Sequence, residues 1–511
     1  MRAIDYFDRG ARLAPARAAF VKEEDVVSYA EAATLTDRIA VALLAGGAGP
    51  NTKVAIYSPN RIDAFLIILG VLRAGAVWVP INVRNGVAEN IQVLRNTECT
   101  WLFYHSNFEA AASAMKAAVA DIRTVCLDAG DEMARWMADP GAAAPVLPRD
   151  PGRLCAILST GGTTGRPKGV MWSDSTLEAM TANFWAHLPC DRPPVYLIAA
   201  PMTHAAGVIA LPLMAAGATV VILDRADPLA IMQAIQRQRI THLFLPPTVI
   251  YMMLAHPEVR RFDYSSLLYF IYSAAPMAAA KIKEAINVFG PVMAQAYGQA
   301  EFPLMGTFLS PHEHVQILAE GPIGRLESAG RVCMFNQVAI VDESGRPAKS
   351  RDVGEIVFRG NLAMVGYYKD TTGTAEVSRH GWHHTGDLGY LDEEGYVYIV
   401  DRKKDMIITG GFNVYSAEVE QVILTHPAVQ DCVVVGVPDD KWGEAVKAVV
   451  ELKPGRTAEV EAIMALCHGR LGGVKAPKTV EVWSSLPRSA VGKVLKRIVR
   501  DRYWEHRDRR I

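Results

Sequence analysis

The chain has 511 residues, half of them hydrophobic and 21% charged, which is too long for one hydrophobic core and balanced like a globular enzyme of at least two domains. Lys plus Arg total 53 against 54 Asp plus Glu, a net charge of -1, which argues against general nucleic-acid or membrane-surface binding. Seven scattered cysteines, odd in number and without a C-x-x-C pair, point away from a disulfide framework or a zinc site and toward a reducing compartment. The start, MRAIDYFDRGAR, carries charges where a signal peptide needs an apolar core, so a cytoplasmic location is expected.

In chain order, KVAIYSPN reads as a strand, RIDAFLIILGVLRAG as a helix and AVWVPIN as a strand again. Val195 to Leu223 contains no Asp, Glu, Lys or Arg and exceeds the ~20 residues of a membrane span. Pro201, Thr203, His204, Gly207, Pro212 and Gly217 interrupt it, and its ends read as strands around a helix, so buried core is expected and no transmembrane segment. The alternation continues through ATVVIL, DPLAIMQAIQRQR, THLFLPP, VIYMMLAH, LLYFIYSAA, AAKIKEAINVF and VMAQAYG, which predicts parallel sheets covered by helices. Between about Gly321 and Val400 short runs such as QVAIVDESGRP, GEIVFRG and GYVYIVD suggest a smaller antiparallel unit. After the charged cluster Asp401–Asp405 the pattern is compact α+β, ending in a basic segment from Lys493 to Arg510 that reads as a solvated helix end. The expected class is α/β: a large N-terminal domain of helix-covered mixed or parallel sheets plus the antiparallel unit, residues 1–400, and a small mobile α+β C-terminal domain, residues 401–511.

The strongest chemical signal is Ser159-Thr160-Gly161-Gly162-Thr163-Thr164-Gly165-Arg166-Pro167-Lys168-Gly169, directly after an apolar run. Four glycines let the backbone approach a polyphosphate and turn its N–H groups toward the oxygens, while Thr160, Thr163 and Thr164 add hydroxyls and Lys168 a positive charge. Pro167 precedes the lysine where a Walker A loop needs Gly. His312-Glu313-His314 and His383-His384 lack H-E-x-x-H spacing, so no zinc is expected.

This segment resembles the phosphate-binding signature of AMP-forming acyl-CoA synthetases, members of the adenylate-forming superfamily, and further motifs follow in order over almost the whole chain. Ala200-Pro201-Met202-Thr203-His204-Ala205-Ala206-Gly207 is similar to the acyl-pocket motif, and Ser273-Ala274-Ala275-Pro276-Met277 to the adenine-side loop. Tyr297-Gly298-Gln299-Ala300-Glu301 resembles the Tyr-Gly-x-Thr-Glu motif, and Trp382-His383-His384-Thr385-Gly386-Asp387 the ribose motif. Asp401-Arg402-Lys403-Lys404-Asp405 and Gly410-Gly411-Phe412 are similar to the hinge and the loop after it, and Leu486-Pro487-Arg488-Ser489-Ala490-Val491-Gly492-Lys493 to the C-terminal signature.

The resemblance implies ATP, Mg²⁺ and coenzyme A as co-substrates and cofactor, a small-molecule carboxylic acid as substrate, and no nucleic acid. Lys493 becomes the catalytic cation, since attack of a carboxylate on the α-phosphorus builds charge that a positioned ammonium stabilises. Tyr297 offers a face to adenine beside Ala275; Gly298, Gln299 and Ala300 complete that wall; Asp387 and Arg402 bind the ribose; Glu301 and Thr160 are the Mg²⁺ ligands. His204, which taken alone reads as a satisfied core histidine, becomes a gate between acyl pocket and thiol entry. Ala205, Ala206, Gly207, Met277 and Phe302 line an apolar acyl pocket suited to a fatty or aromatic acid. The C-terminal domain turns about Lys404 to bring Gly410 and Gly411 toward the pantetheine.

Gly161 stands where many members have Ser and Ala300 where they have Thr, each removing a hydroxyl worth ~0.5–1.5 kcal/mol. Two alternatives stay open: an adenylating enzyme with another acceptor (carrier protein, amine or oxygen), and a catalytically silent nucleotide-binding homologue. A homodimer is compatible with the sequence, which fixes neither the oligomeric state nor the acid.

Overall fold

Runs of Val, Ile and aromatic residues without charge form strands here because helices cover both of their faces. The computed structural model describes residues 1–137, 139, 141, 143–160, 167–488 and 494–505. Gly161, Gly162, Thr163, Thr164, Gly165 and Lys493 lie outside the described residues. The chain falls into two compact units: Met1–Val338 with Phe358–His384 and Gly395–Val397, and Ala339–Val357 with Thr385–Glu394 and Tyr398–Ile511.

The first unit holds two large sheets. In the seven-stranded one, β1 (Leu154–Thr160) runs parallel to Val77–Pro80, which continues through Lys53–Tyr57 and Trp101–Tyr104 to Arg123–Cys126. On its other side β1 pairs antiparallel with β2 (Lys168–Ser173), and β2 with Gly366–Tyr367. The nine-stranded sheet contains the predicted succession of parallel strands Thr219–Ile222, Val195–Ile198, His242–Leu245, β3 (Tyr269–Tyr272) and β4 (Met293–Gln299), closed by antiparallel β5 (Phe302–Leu309). The charge-free stretch splits into two of these strands and the buried helix α1 (Ala205–Met214). No helix among the described residues is long and apolar enough to cross a membrane.

A four-stranded sheet follows the order Gln337–Val341, Gly354–Arg359, β6 (His383–Leu391) and β7 (Val397–Arg402), and most of its residues belong to the second unit. The C-terminal α+β part pairs Val429–Asp439 antiparallel with Gly443–Leu452, which also runs parallel to Thr479–Trp483. Helix α2 (Ser416–Leu424) and the helix Val460–Lys475 contribute Val419, Ile423, Ile463 and Cys467 to its core. The basic last helix, α3 (Lys496–Trp504), exposes Arg497 and Arg502 as expected of a solvated end, and its other face packs on the domain. Its Val499 is fully buried, Tyr503 donates to Glu481 at 2.7 Å, and Lys496 pairs with Glu420 at 2.9 Å. The architecture is α/β: a large N-terminal domain of mixed sheets, antiparallel units and a small C-terminal domain.

Glu313 and His314 serve the fold. Glu313 closes a capping box with Ser310 on the helix Pro311–Glu320. His314 is fully buried: its Nδ1 lies 2.8 Å from the Ser310 carbonyl, and its Nε2 lies 2.9 Å from the Tyr272 hydroxyl. Burial pushes its pKa down to about 4, and burial pushes that of His242 down to about 3. Both therefore stay neutral in the folded chain below the pH at which the unfolded chain binds protons. Stability from each is complete above the unfolded value near 6.5 and is lost as pH falls toward the folded value, about 2 kcal/mol per histidine by pH ~5. Asp174, raised by burial to about 6, opposes this over the same window, because its folded form takes up the proton first. Urea unfolding at about pH 7 and pH 5 should therefore show a smaller acid loss in His314→Gln and in His242→Gln than in the wild type.

Candidate active site

The predicted phosphate side adjoins β1 and β2. Thr160 ends β1 directly opposite Lys168, so the strand pairing fixes both ends of the segment between them. A Cβ on Gly169 would lie 2.8 Å from Ile157 and 3.3 Å from Tyr368, which explains the glycine beside the lysine. The Lys168 ammonium stands 4.4 Å from the centroid of the Tyr367 ring and 3.7 Å from an Asp370 oxygen. The same tyrosine's hydroxyl donates to Glu301 at 2.8 Å. Residues predicted from distant motifs, Lys168 and Glu301, thus meet on one aromatic ring.

On the predicted adenine side, β3 leads into Ser273–Met277. Ala274 takes φ 73°, an uncommon left-handed conformation for a residue with a side chain; Ala275 is exposed and Met277 buried. Tyr297 on β4 is buried with its ring 5.7 Å from that of Phe358. Gly298 is required by close approach, because a Cβ there would lie 2.6 Å from the Phe302 carbonyl oxygen and 2.6 Å from the Leu304 nitrogen. A bulge between Tyr297 and Gln299 turns the chain, and Gln299 pairs with Phe302. The backbone of Ala300 and Glu301 is pinned from outside: Trp172 Nε1 donates to the Ala300 carbonyl at 2.7 Å and the Met364 N–H to the Glu301 carbonyl at 2.8 Å. Phe302 is fully buried in an aromatic stack, 4.7 Å from Phe358 and 6.2 Å from His383.

His204 precedes α1 and is half-buried, with Nδ1 2.9 Å from the Thr203 hydroxyl. Burial, reinforced by the Arg84 charge, lowers its pKa and keeps the ring neutral near pH 7. Ala205 is half-buried and Ala206 buried. A Cβ on Gly207 would sit 1.9 Å from the Met202 carbonyl oxygen, so only glycine fits the start of this helix.

In the second unit β6 and β7 bring Asp387 and Arg402 together, with Arg402 Nε 3.3 Å from Asp387 Oδ1. Asp387 is buried and Arg402 exposed, a pair of acceptor and donor at an accessible edge. Glu355 supports this corner by accepting from the Gly386 N–H at 3.2 Å and pairing with Lys403 at 3.4 Å. Lys404 follows, exposed, its carbonyl accepting from Arg500 at 3.3 Å. Gly410 and Gly411 take φ 56° and 82° as the two-residue turn between Ile407–Thr409 and Phe412–Val414, the conformation such hairpins need. A Cβ on Gly410 would lie 2.5 Å from the Trp442 ring.

Sequence reasoning missed Trp172, Tyr367, Asp370, Glu355 and Trp442. None of them stands out from ordinary core or surface composition in the sequence. Among the described residues no three or more His, Cys, Asp or Glu side chains gather as a metal cage. A single carboxylate such as Glu301, sharing the ion with phosphate oxygens, matches the way Mg²⁺ is held in nucleotide sites.

Residues 7–368 match the AMP-binding enzyme family and residues 418–493 the AMP-binding enzyme C-terminal domain. A medium/long-chain-fatty-acid–CoA ligase of Mycobacterium tuberculosis is 37% identical over 496 residues, covering 92% of this chain and 85% of the relative. The amide bond synthetase McbA of Marinactinospora thermotolerans superposes with a TM-score of 0.87 at 31% identity, covering 98% of this chain and 99% of the other. MatB of Rhodopseudomonas palustris, solved with ATP bound, superposes with a TM-score of 0.88 at 29% identity over 98% of this chain and 99% of its own. With both family matches in sequence order and such relatives along nearly its full length, this chain belongs to the AMP-binding, adenylate-forming enzymes.

Proposed function

We propose that this enzyme condenses a fatty or aromatic carboxylic acid with ATP to an acyl-adenylate, releasing pyrophosphate, and then passes the acyl group to the thiol of coenzyme A. The observation that carries the reading is the meeting of Lys168 and Glu301 on Tyr367, which assembles a cation for phosphate and an oxygen ligand for its metal. Mg²⁺, held by Glu301 and Thr160 together with the nucleotide, supplies neutralising charge at the phosphates. Lys168 binds the leaving polyphosphate, the Asp387 and Arg402 pair binds the ribose, and the apolar surface at Ala205, Gly207 and Met277 receives the acid's tail. His204, kept neutral, separates that tail from the thiol path. A CoA ligase among the relatives supports the acceptor.

Residues 401–511 act as the moving domain in this reading, turning about Lys404 between the two half-reactions, because one acyl carbon must meet first a lysine and then a thiol. Lys493 serves adenylation only. Lys493→Ala should lower adenylate formation, followed by pyrophosphate release, by about two to three powers of ten while thioester formation from supplied acyl-adenylate survives. Equal loss of both half-reactions would count against the assignment. Lys404→Pro should slow the coupled reaction more than either half-reaction measured separately; wild-type rates throughout would remove the hinge.

An amide bond synthetase among the structural neighbours favours a second reading, with an amine as acceptor. Coenzyme A-dependent AMP formation across aliphatic, aryl and dicarboxylic acids, repeated with amines in place of the thiol, decides between the two and identifies the acid class. AMP release that responds to amines and not to coenzyme A overturns the first.

A further inference from the structure

The geometry points to Tyr367 as a positioning residue that keeps the two oppositely charged groups of the ATP site apart, one on its ring face and one at its hydroxyl. The inference rests on the reading of Lys168 and Glu301 as phosphate and magnesium groups. An ammonium and a carboxylate that contact one tyrosine, both half-buried, attract each other, and a direct pair would have to break before nucleotide and metal could use either. Tyr367 gives each a separate contact. Its O–H donates to Glu301 at 2.8 Å, and its π face lies 4.4 Å under the Lys168 ammonium.

The alternative partner of Lys168 is poised for displacement. Asp370 is 3.7 Å away, its side chain is 39% exposed, and its other oxygen accepts from the Gly373 N–H as a helix cap at 2.7 Å. A phosphate can take its place without leaving a buried charge unpaired. The spacer itself is held rigidly. The Tyr367 N–H donates to Thr374 Oγ1 at 2.8 Å, and the residue pairs across the strand with Val170. A Cβ on the preceding Gly366 would lie 2.9 Å from Thr374, so this short strand packs tightly at its start. The following residues are tied elsewhere, Tyr368 to Glu98 at 2.6 Å and Lys369 to Glu98 at 2.5 Å. Adjacent tyrosines therefore have separate tasks, one at the site and one in the scaffold.

Calorimetric titration of the full chain with ATP, with and without Mg²⁺ and with no acid present, tests the assignment. Glu301→Gln should weaken the magnesium-dependent part of binding and Lys168→Ala both parts. Tyr367→Phe keeps the ring and loses the donor, so it should copy Glu301→Gln, weakening MgATP about tenfold and leaving metal-free ATP nearly unchanged. Tyr367→Leu removes the spacer and should weaken both. The double variant Tyr367→Phe/Glu301→Gln should lose no more than Glu301→Gln does, a non-additivity that a general packing role does not produce. If Glu301→Gln and Lys168→Ala weaken binding while both Tyr367 variants match the wild type, the spacer role is wrong and the ATP-site reading stands. If Glu301→Gln and Lys168→Ala also match the wild type, the site reading fails and the spacer role with it.

Discussion

The antiparallel pairing of β1 with β2 is the constraint on which the site depends. The expected phosphate-binding segment, residues 161–166, leaves β1 and enters β2 at two ends that the strand pairing fixes. Those ends are Thr160 and Lys168, opposite each other in one register, with β1 anchored by Val77–Pro80 behind it and β2 by Gly366–Tyr367 beside it. A one-residue slip of β2 would turn Lys168 to the other face of the sheet and take its ammonium off the Tyr367 ring. Burial of Val170 and Trp172, with Trp172 bonded to the Ala300 carbonyl, holds that register. The same strand thus sets the lysine and steadies the acidic motif.

The second unit relies on charge in its interior. Asp401, next to Arg402 on β7, accepts from the Ser416 N–H and from its hydroxyl at 2.8 Å. The Ser416 hydroxyl in turn accepts from Lys496 at 2.6 Å, and Lys496 pairs with the half-buried Glu420 at 2.9 Å. Removing one partner of such a set leaves a charge without its counter-charge, so it fixes geometry more surely than it adds net stability. The first residue of α3, three positions after Lys493, is therefore fastened to the strand that carries Arg402.

How much of this was legible in the sequence varied with the kind of interaction. The alternation from ATVVIL to VMAQAYG was readable because each strand is buried on both faces and each helix shows a long apolar pattern. The family was readable because glycine, lysine and acid at those spacings are unusual. Tyr367 was not, since a buried tyrosine in a short edge strand has the composition of ordinary core; its role appears only when residues 168, 301 and 367 share a place. Lys496 was hidden for the opposite reason. A lysine within KVLKRIVRDR looks solvated, and only its pairing with Glu420 on α2, far away in sequence, draws it half into the domain.

The two departures from the family motif, Gly161 and Ala300, concern side-chain hydroxyls. Around Ala300 the bonds that set the path of the chain are made by main-chain atoms. The Ala300 carbonyl is held by Trp172, the Glu301 carbonyl by the Met364 N–H, and Gly298 is forced by the backbone of residues 302–304. A Thr-to-Ala difference leaves all of these in place and removes at most one contact to ligand. The Glu301 carboxylate accepts instead from the Tyr367 hydroxyl, a bond that does not involve the side chain at position 300. An acidic group bonded by a residue of the neighbouring sheet, and not by the residue beside it in sequence, keeps that contact when the hydroxyl at position 300 is lost.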